Sequence, residues 1–182
     1  MLLVVDNGSA YTNRLIDFLY SKKFEFTMKA NSKLEINELD NFDSFILTGR
    51  KQNEQKMNML NSQVILHVTS KKKKLLGICY GAEILALTLG GTIRKLPSLI
   101  KGAETISSNK ENLLFDGSLG VFQSHRYEIS KLGNKLENLA SSDTCRHEII
   151  KHNELNIFGT QFHPEMSSDG LMLIESFVNL IH

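Results

Sequence analysis

The chain has 182 residues, of which 41% are hydrophobic and 23% are charged, and this predicts a single globular domain over residues 1–182. Lys and Arg (21) nearly balance Asp and Glu (20), so no partner is expected among nucleic acids or anionic membranes. No apolar stretch is long enough to span a bilayer, and the apolar N-terminus reaches Asp6 too soon for a signal peptide.

The cysteines and histidines indicate a reducing compartment and no metal. Two cysteines cannot form a disulfide framework, and the six histidines are scattered along the chain. We therefore expect a cytoplasmic protein with free thiols. The basic run Lys71-Lys72-Lys73-Lys74 precedes an apolar run and is interpreted as a solvated loop.

The first half of the chain alternates short apolar runs with helical patterns. The continuous apolar run 2–5 predicts a strand buried on both faces, and a turn and a helix over residues 11–19 follow it. Further expectations are strands at 24–28, 45–47 and 75–78, a helix at 82–89, a loop or surface helix at 50–61, and an untyped apolar run at 64–68. Strands that alternate with helices in this way predict a parallel α/β sheet.

The second half consists of short strand patterns separated by polar turns. They lie at 102–106, 120–123, 148–151 and 157–162. Residues 152–155 are typical of a hairpin connection between the last two strands. An amphipathic helix is expected over 171–181, and no internal repeat or domain linker is visible.

The pentapeptide Gly77-Ile78-Cys79-Tyr80-Gly81 has the form Gly-x-nucleophile-x-Gly between a buried strand and a helix. A sharp strand-to-helix turn holds such a nucleophile in strained backbone angles, and glycines are needed where a side chain would collide with backbone. The start of the helix favours a thiolate, and the following N–H groups point towards a developing oxyanion. The alternative is an ordinary small, buried cysteine. Cys145 has no such surroundings, and we expect it to have no catalytic role.

A second motif, Gln161-Phe162-His163-Pro164-Glu165, ends the last predicted strand. Proline biases the preceding residue towards an extended conformation, in which residues two apart point the same way. Glu165 could then orient the imidazole of His163, which could accept the thiol proton and return it to a leaving group. The alternative is a surface His and Glu at a strand end.

Together the two motifs resemble the signature of the class I glutamine amidotransferases, and the resemblance extends over essentially the whole chain. It implies that Cys79 is the nucleophile, His163 the base and Glu165 the third member of a triad. The implied fold is a flavodoxin-like three-layer α/β sandwich, with a mostly parallel central sheet and additional antiparallel strands. The implied reaction hydrolyses glutamine through a γ-glutamyl thioester, with no metal or organic cofactor.

Within this family, the opening Asp6-Asn7-Gly8-Ser9 with Tyr11 resembles the glutaminase part of GMP synthase. Ser124-His125 is similar to a Ser-His pair that follows a short strand there, although Arg126-Tyr127 departs from that pattern. No ATP-pyrophosphatase domain is present in the sequence, so the resemblance implies that the partner is a separate ATP-dependent synthetase subunit.

The resemblance also implies a set of substrate-binding and oxyanion residues: Gly49, Arg50, Tyr80, Glu83, Ser124 and His125. Two positions depart from the family pattern. Glu83 replaces a glutamine that helps to hold the substrate, so it would have to meet a donor on the substrate or be protonated. The loop Thr48-Gly49-Arg50-Lys51 has a single glycine where the family usually has more.

These departures leave two other functions open. One is a stand-alone hydrolase of γ-glutamyl compounds that is active without a partner and whose Glu83 reflects an altered substrate. The other is a degenerate, non-catalytic amidotransferase used for binding or regulation. The intact Cys79, His163 and Glu165 argue against the second of these functions.

Overall fold

The computed structural model describes residues 1–108 and 110–180, which form one mixed sheet covered by helices. The strands in this part of the chain are β1 (Leu2–Asp6), β2 (Phe26–Ala30), β3 (Ser44–Leu47), β4 (Lys74–Ile78), β5 (Thr92–Ser108), β6 (Ser118–Lys131), β7 (Leu136–Ser141), β8 (Ile149–His152) and β9 (Ile157–Thr160). The α-helices are α1 (Thr12–Ser21), α2 (Gln55–Ser70), α3 (Tyr80–Thr88) and α4 (Ser168–Asn179).

The sheet has the strand order β2-β1-β3-β4-β9-β8-β7-β5-β6. The first five of these strands pair in parallel. From β9 onward each strand pairs antiparallel with its neighbour, and β8 and β9 form the hairpin predicted from the sequence. The predicted fold class, a parallel α/β sheet with additional antiparallel strands, is therefore confirmed.

Strand β1 shows how the two cores arise from a continuous apolar run. Successive side chains of a strand point to opposite faces. Leu3 and Val5 therefore join the core beneath α2 and α3, whereas Leu2 and Val4 join the core beneath α1 and α4. Helices cover both faces of the sheet, which gives the three layers expected.

Helix α2 includes the polar stretch 50–61 only in part and continues through the apolar run 64–68, whose type the sequence pattern does not reveal. Its buried face includes Met57, Val64 and Val68. Asn61 is buried on the same helix, and this polar residue interrupts the apolar pattern from which the helix would have been recognised.

The interpretation of residues 71–74 as a solvated loop is wrong for its second half. Lys73 donates hydrogen bonds from Nζ to the carbonyl oxygens of Leu39 and Phe42. Lys74 opens β4, is buried, and donates to the carbonyl oxygen of Leu180 at the end of α4, at 2.6 Å. These ammonium groups satisfy backbone acceptors that would otherwise lack donors.

The antiparallel part of the sheet is more extensive than the sequence predicts. Strands β5 and β6 have 17 and 14 residues and pair along most of their length, and β7 was not predicted. Most side chains of β5 are half-buried or exposed, so no clear apolar alternation marks its extent. Helix α4 starts three residues earlier than predicted; the predicted end at Ile181 lies outside the described residues.

Candidate active site

Cys79 lies between β4 and α3, where the backbone makes the sharp turn expected. Its φ is 50° and its ψ is −101°, which is a strained conformation for a residue with a side chain. A Cβ on Gly77 would lie 2.5 Å from the backbone of Gly81, and one on Gly81 would collide with the carbonyl oxygen of Leu47. Both flanking glycines are thus required by close backbone contacts.

The thiol of Cys79 is buried, and burial is the main cause that raises its pKa well above the ordinary value. The negative charges of Glu83 and Glu165 raise this pKa further, while a hydrogen bond from the Tyr80 backbone N–H and the charge of Arg50 lower it. The start of α3 therefore does not produce a resting thiolate, contrary to the expectation from sequence. A base is needed to remove the proton.

His163 and Glu165 form a buried pair in which the imidazole Nδ1 lies 2.9 Å from Oε1 of the carboxylate. His163 is extended, as the following proline predicts, but Pro164–Met166 is a short 3₁₀ turn rather than a continuation of the strand. The turn, and not strand alternation, brings the carboxylate to the ring. The contact leaves Nε2 of His163 available for proton transfer.

Gly49 follows β3 and lies against this imidazole, because a Cβ on Gly49 would be 2.9 Å from Cε1 of His163. No larger residue fits here without moving the ring. The close backbone approach that the sequence suggested for Gly49 is therefore present, and its peptide group borders the reacting centre.

A cleft of about 300 Å³ opens above Cys79. Six residues predicted for the site line it: Arg50, Cys79, Tyr80, Glu83, Ser124 and His125. Five further lining residues were not predicted: Lys51, Asn53, Leu99, Arg126 and Tyr127. Most of the latter come from β5 and β6, whose approach to the cleft depends on the tertiary fold and not on any local motif.

Glu83 is the one carboxylate that lines the cleft within the described part of the chain, and it is 4% exposed. Burial raises its pKa from 4.5 to about 7, although a hydrogen bond from Nε2 of Gln161 and the charge of Arg50 act in the opposite direction. Near neutral pH this carboxyl group is therefore protonated in about half of the molecules, and in that form it can donate as well as accept.

Arg50 forms the cationic side of the cleft. Its guanidinium lies over the Tyr80 ring at 4.1 Å from the centroid, which fixes both side chains relative to each other. Asn58 accepts hydrogen bonds from Arg50 and from the Tyr80 hydroxyl, the latter at 2.8 Å. Asn58 was missed from the sequence because it sits in the polar part of α2 with no motif around it.

Ser124 and His125 lie within the long strand β6 and not after a short strand as expected. The carbonyl oxygen of Ser124 is 4.0 Å from the Cys79 sulfur. His125 Nδ1 is 2.9 Å from the Tyr127 carbonyl oxygen and must donate to it, and burial lowers the pKa of this imidazole. A neutral ring with an acceptor at Nε2 follows, and Nε2 has no partner among residues 1–108 and 110–180.

Tyr11 is a further neighbour of the imidazole that the sequence linked only to a motif. Its ring meets that of His163 edge-on, with centroids 4.6 Å apart. Its hydroxyl donates to Oγ of Ser124 at 3.2 Å. Tyr11 thereby connects the imidazole to the strand that faces Cys79.

The second cysteine and the remaining acidic and histidine side chains form no further site of this kind. Within the described residues, no three or more His, Cys, Asp or Glu side chains are grouped so that they could hold a metal ion. None of the helices described is both long and apolar enough to cross a membrane. Cys145 is buried, and burial raises the pKa of its thiol strongly.

A strained cysteine at a strand-to-helix turn, beside a His–Glu pair and an acidic cleft residue, defines a cysteine-dependent amidohydrolase site. The sequence model of class I glutamine amidotransferases matches residues 3–178. The chain belongs to this family, and the resemblance noted from the two motifs is confirmed.

Individual relatives narrow the comparison. A protein of Pyrococcus furiosus that is named as a glutamine-hydrolysing subunit of GMP synthase is 29% identical, over 99% of this chain and 98% of that protein. The protein of the same name in Methanococcus aeolicus is 31% identical, over 97% and 95%. A crystal structure from Thermoplasma acidophilum, described as the corresponding GMP synthase subunit, has a TM-score of 0.86 and 27% identity, over 97% and 91%.

Proposed function

We propose that this protein hydrolyses glutamine through a thioester on Cys79 and passes the ammonia to a separate ATP-dependent synthetase of the GMP synthase type. The observation that supports this most directly is the position of Cys79 in a strained turn at the floor of a cleft, next to the His163–Glu165 pair. The relatives named as glutamine-hydrolysing subunits of GMP synthase support the choice of partner.

In the first half of the reaction, His163 accepts the Cys79 proton while the sulfur attacks the amide carbon of glutamine. Proton removal during attack is required because the resting thiol has a raised pKa. Glu165 stabilises the imidazolium through Nδ1. The oxyanion accepts hydrogen bonds from the backbone N–H of Tyr80 and from the Gly49 peptide.

In the second half, the imidazolium gives its proton to the leaving nitrogen, the C–N bond breaks, and ammonia departs. The γ-glutamyl group is left on the sulfur. His163 then takes a proton from water, whose oxygen attacks the thioester carbon. Collapse of this intermediate breaks the C–S bond, releases glutamate and returns the proton to Cys79.

Substrate selection falls to the charged and polar groups of the cleft. Protonated Glu83 offers one donor and one acceptor, as an amide would, to the polar end of glutamine. Arg50 offers a cation for the substrate carboxylate, and its contact with Tyr80 limits its mobility. Ser124 and His125 border the opposite wall of the cleft.

The test is ammonia and glutamate release from L-glutamine by the purified chain, with and without a purified synthetase subunit, beside Cys79→Ala. We expect turnover that requires Cys79 and rises with the synthetase. Equal turnover without the synthetase, with a preference for other γ-glutamyl amides, would instead identify a stand-alone hydrolase. No turnover under either condition would identify a non-catalytic relative.

A further inference from the structure

Two buried asparagines join the end of β1 to the middle of α2. Asn7 Nδ2 donates to Oδ1 of Asn61 at 3.1 Å, and Asn61 Nδ2 donates to Oδ1 of Asn7 at 2.9 Å. Asn7 is 4% exposed and Asn61 is 0% exposed. Buried amides are costly unless their polar atoms are paired, and this reciprocal arrangement pairs both carbonyl oxygens.

The remaining hydrogen bonds of the pair hold the residue before Gly49. Asn7 Nδ2 also donates to the Thr48 carbonyl oxygen at 3.1 Å, and the Asn7 backbone N–H donates to the Thr48 hydroxyl at 2.9 Å. On the other side, Asn61 Nδ2 donates to the carbonyl oxygen of Met57 at 2.8 Å, within α2. Thr48 is thus tied through its backbone and its side chain to a buried helix.

Gly49 needs such a restraint. Its peptide lies beside the imidazole of His163, where sub-ångström shifts change any hydrogen bond to a reacting oxygen. The segment Thr48-Gly49-Arg50-Lys51 contains no proline and one glycine, so its own sequence does little to restrict its backbone. The bonds from Asn7 and Asn61 provide the restraint from outside the segment.

We propose that Asn7 and Asn61 are positioning residues that hold the Gly49 peptide in place to stabilise the oxyanion. The inference rests on the proposed function for its catalytic part. A stability role alone does not require this chemistry, because a pair of apolar side chains of similar shape can replace a buried polar pair at little cost. The amides differ from such a pair in fixing one direction and one register for Thr48.

The experiment compares Asn61→Ala with Asn138→Ala as the matched control. Asn138 also makes a side-chain hydrogen bond, to His147 Nδ1 at 3.1 Å, but it lies on β7 outside the cleft. Turnover of glutamine is measured beside the rate of Cys79 alkylation by iodoacetamide. Alkylation proceeds at a saturated carbon and forms no oxyanion, so it reports on the thiol alone.

For Asn61→Ala we expect kcat to fall roughly 10–100-fold, somewhat less than the 10²–10³-fold typical of losing one oxyanion donor outright. We expect KM and the alkylation rate to stay within about twofold of the wild type, and Asn138→Ala to leave all three unchanged. An unchanged kcat, or an alkylation rate that falls in parallel with kcat, overturns the proposal. If Asn61→Ala does not fold, the nearly isosteric Asn61→Asp, which keeps the acceptor for Asn7, takes its place.

Amide hydrogen exchange at Gly49 separates this proposal from the proposed function. Exchange should accelerate at least tenfold in Asn61→Ala and stay unchanged in Asn138→Ala, since about 1.4 kcal/mol of lost restraint changes an opening equilibrium tenfold. Unchanged exchange overturns the restraint even if the wild type turns over glutamine. Faster exchange in a protein that never releases ammonia would refute the function and keep the restraint.

Discussion

Replacing Glu83 by glutamine changes a single proton site in the cleft and leaves the shape of the side chain almost unchanged. In the wild type, burial raises the Glu83 pKa from 4.5 to about 7. At 1.36 kcal/mol per pKa unit, this difference corresponds to roughly 3 kcal/mol by which folding disfavours the ionised form. The variant has no charge to bury, and its side-chain oxygen can still accept from Gln161.

The sign of the stability effect follows from where the proton resides. Between pH 4.5 and 7 the folded wild type keeps the Glu83 proton that the unfolded chain has already lost. The contribution of Glu83 is therefore fully present below pH 4.5 and is lost as the pH rises through about 7. Relative to the wild type, Glu83→Gln should gain nothing near pH 4 and up to about 3 kcal/mol near pH 8.

The kinetic effect follows the same proton. If protonated Glu83 is the form that holds glutamine, a pKa of about 7 leaves roughly one molecule in ten competent at pH 8. Wild-type kcat/KM should then fall up to about tenfold relative to Glu83→Gln between pH 6 and pH 8. Removing the carboxylate charge also lowers the pKa of Cys79, which acts in the same direction.

The assay is urea unfolding and glutaminase kinetics at half-unit steps from pH 5 to pH 8.5. Glu148→Gln is the matched control, because burial also raises the Glu148 pKa to about 7 while its side chain bonds Gln123 and Ser142 away from the cleft. It should reproduce the stability change without the kinetic one. A lower kcat/KM for Glu83→Gln at pH 6 would refute the reasoning, since Glu83 would then act as a carboxylate.

The remaining predictions concern the triad and the elbow. Cys79→Ala should abolish ammonia release without unfolding the protein, and a glutamine-like electrophile should modify Cys79 and not Cys145, as peptide mass spectrometry can check. His163→Asn should lower kcat by roughly 10³-fold, within the range for a lost general base, and Glu165→Gln should be milder; the reverse order in steady-state kinetics would exclude the proposed roles. Gly81→Ala should cost about 3 kcal/mol in urea unfolding, because its methyl group would collide with a backbone carbonyl oxygen of β3.

Short-range backbone chemistry explains which parts of the fold could be predicted. The runs at β1, β3 and β4 are apolar because both faces of these strands are covered, and burial on both faces can be read directly from consecutive residues. The turn at Cys79 is likewise local, since Gly77 and Gly81 are needed within five residues of chain. The sequence could therefore locate this turn without any knowledge of the tertiary structure.

The failures have a common physical cause in contacts between distant segments. Helix α2 buries Asn61 against Asn7, 54 residues away, so a polar residue occupies a core position. Lys74 is buried because the end of α4 supplies carbonyl oxygens 106 residues away. Neither partner is visible from the local sequence, and a run of lysines is ordinarily exposed.

The same distinction applies within the candidate site. His163 and Glu165 are two residues apart, and their contact was expected, although a 3₁₀ turn produces it. Tyr11 reaches His163 only through the packing of α1 against the sheet, and Tyr127 reaches the cleft only through the β5–β6 hairpin. Residues that complete a site from other elements have no spacing that would identify them.

The buried state of the Cys79 thiol has a consequence for the order of events in the cleft. Desolvation and the charges of Glu83 and Glu165 keep the sulfur protonated, whereas the Tyr80 N–H and Arg50 oppose them. Solvent that enters the cleft therefore meets a thiol and not a thiolate, which protects the cysteine from oxidation. Because the attacking form arises only when His163 removes the proton, the reactive sulfur is generated together with the oxyanion that the Gly49 peptide stabilises. Strain at Cys79, the His163–Glu165 pair and the restraint on Thr48 thus act on one step, the formation of the tetrahedral intermediate.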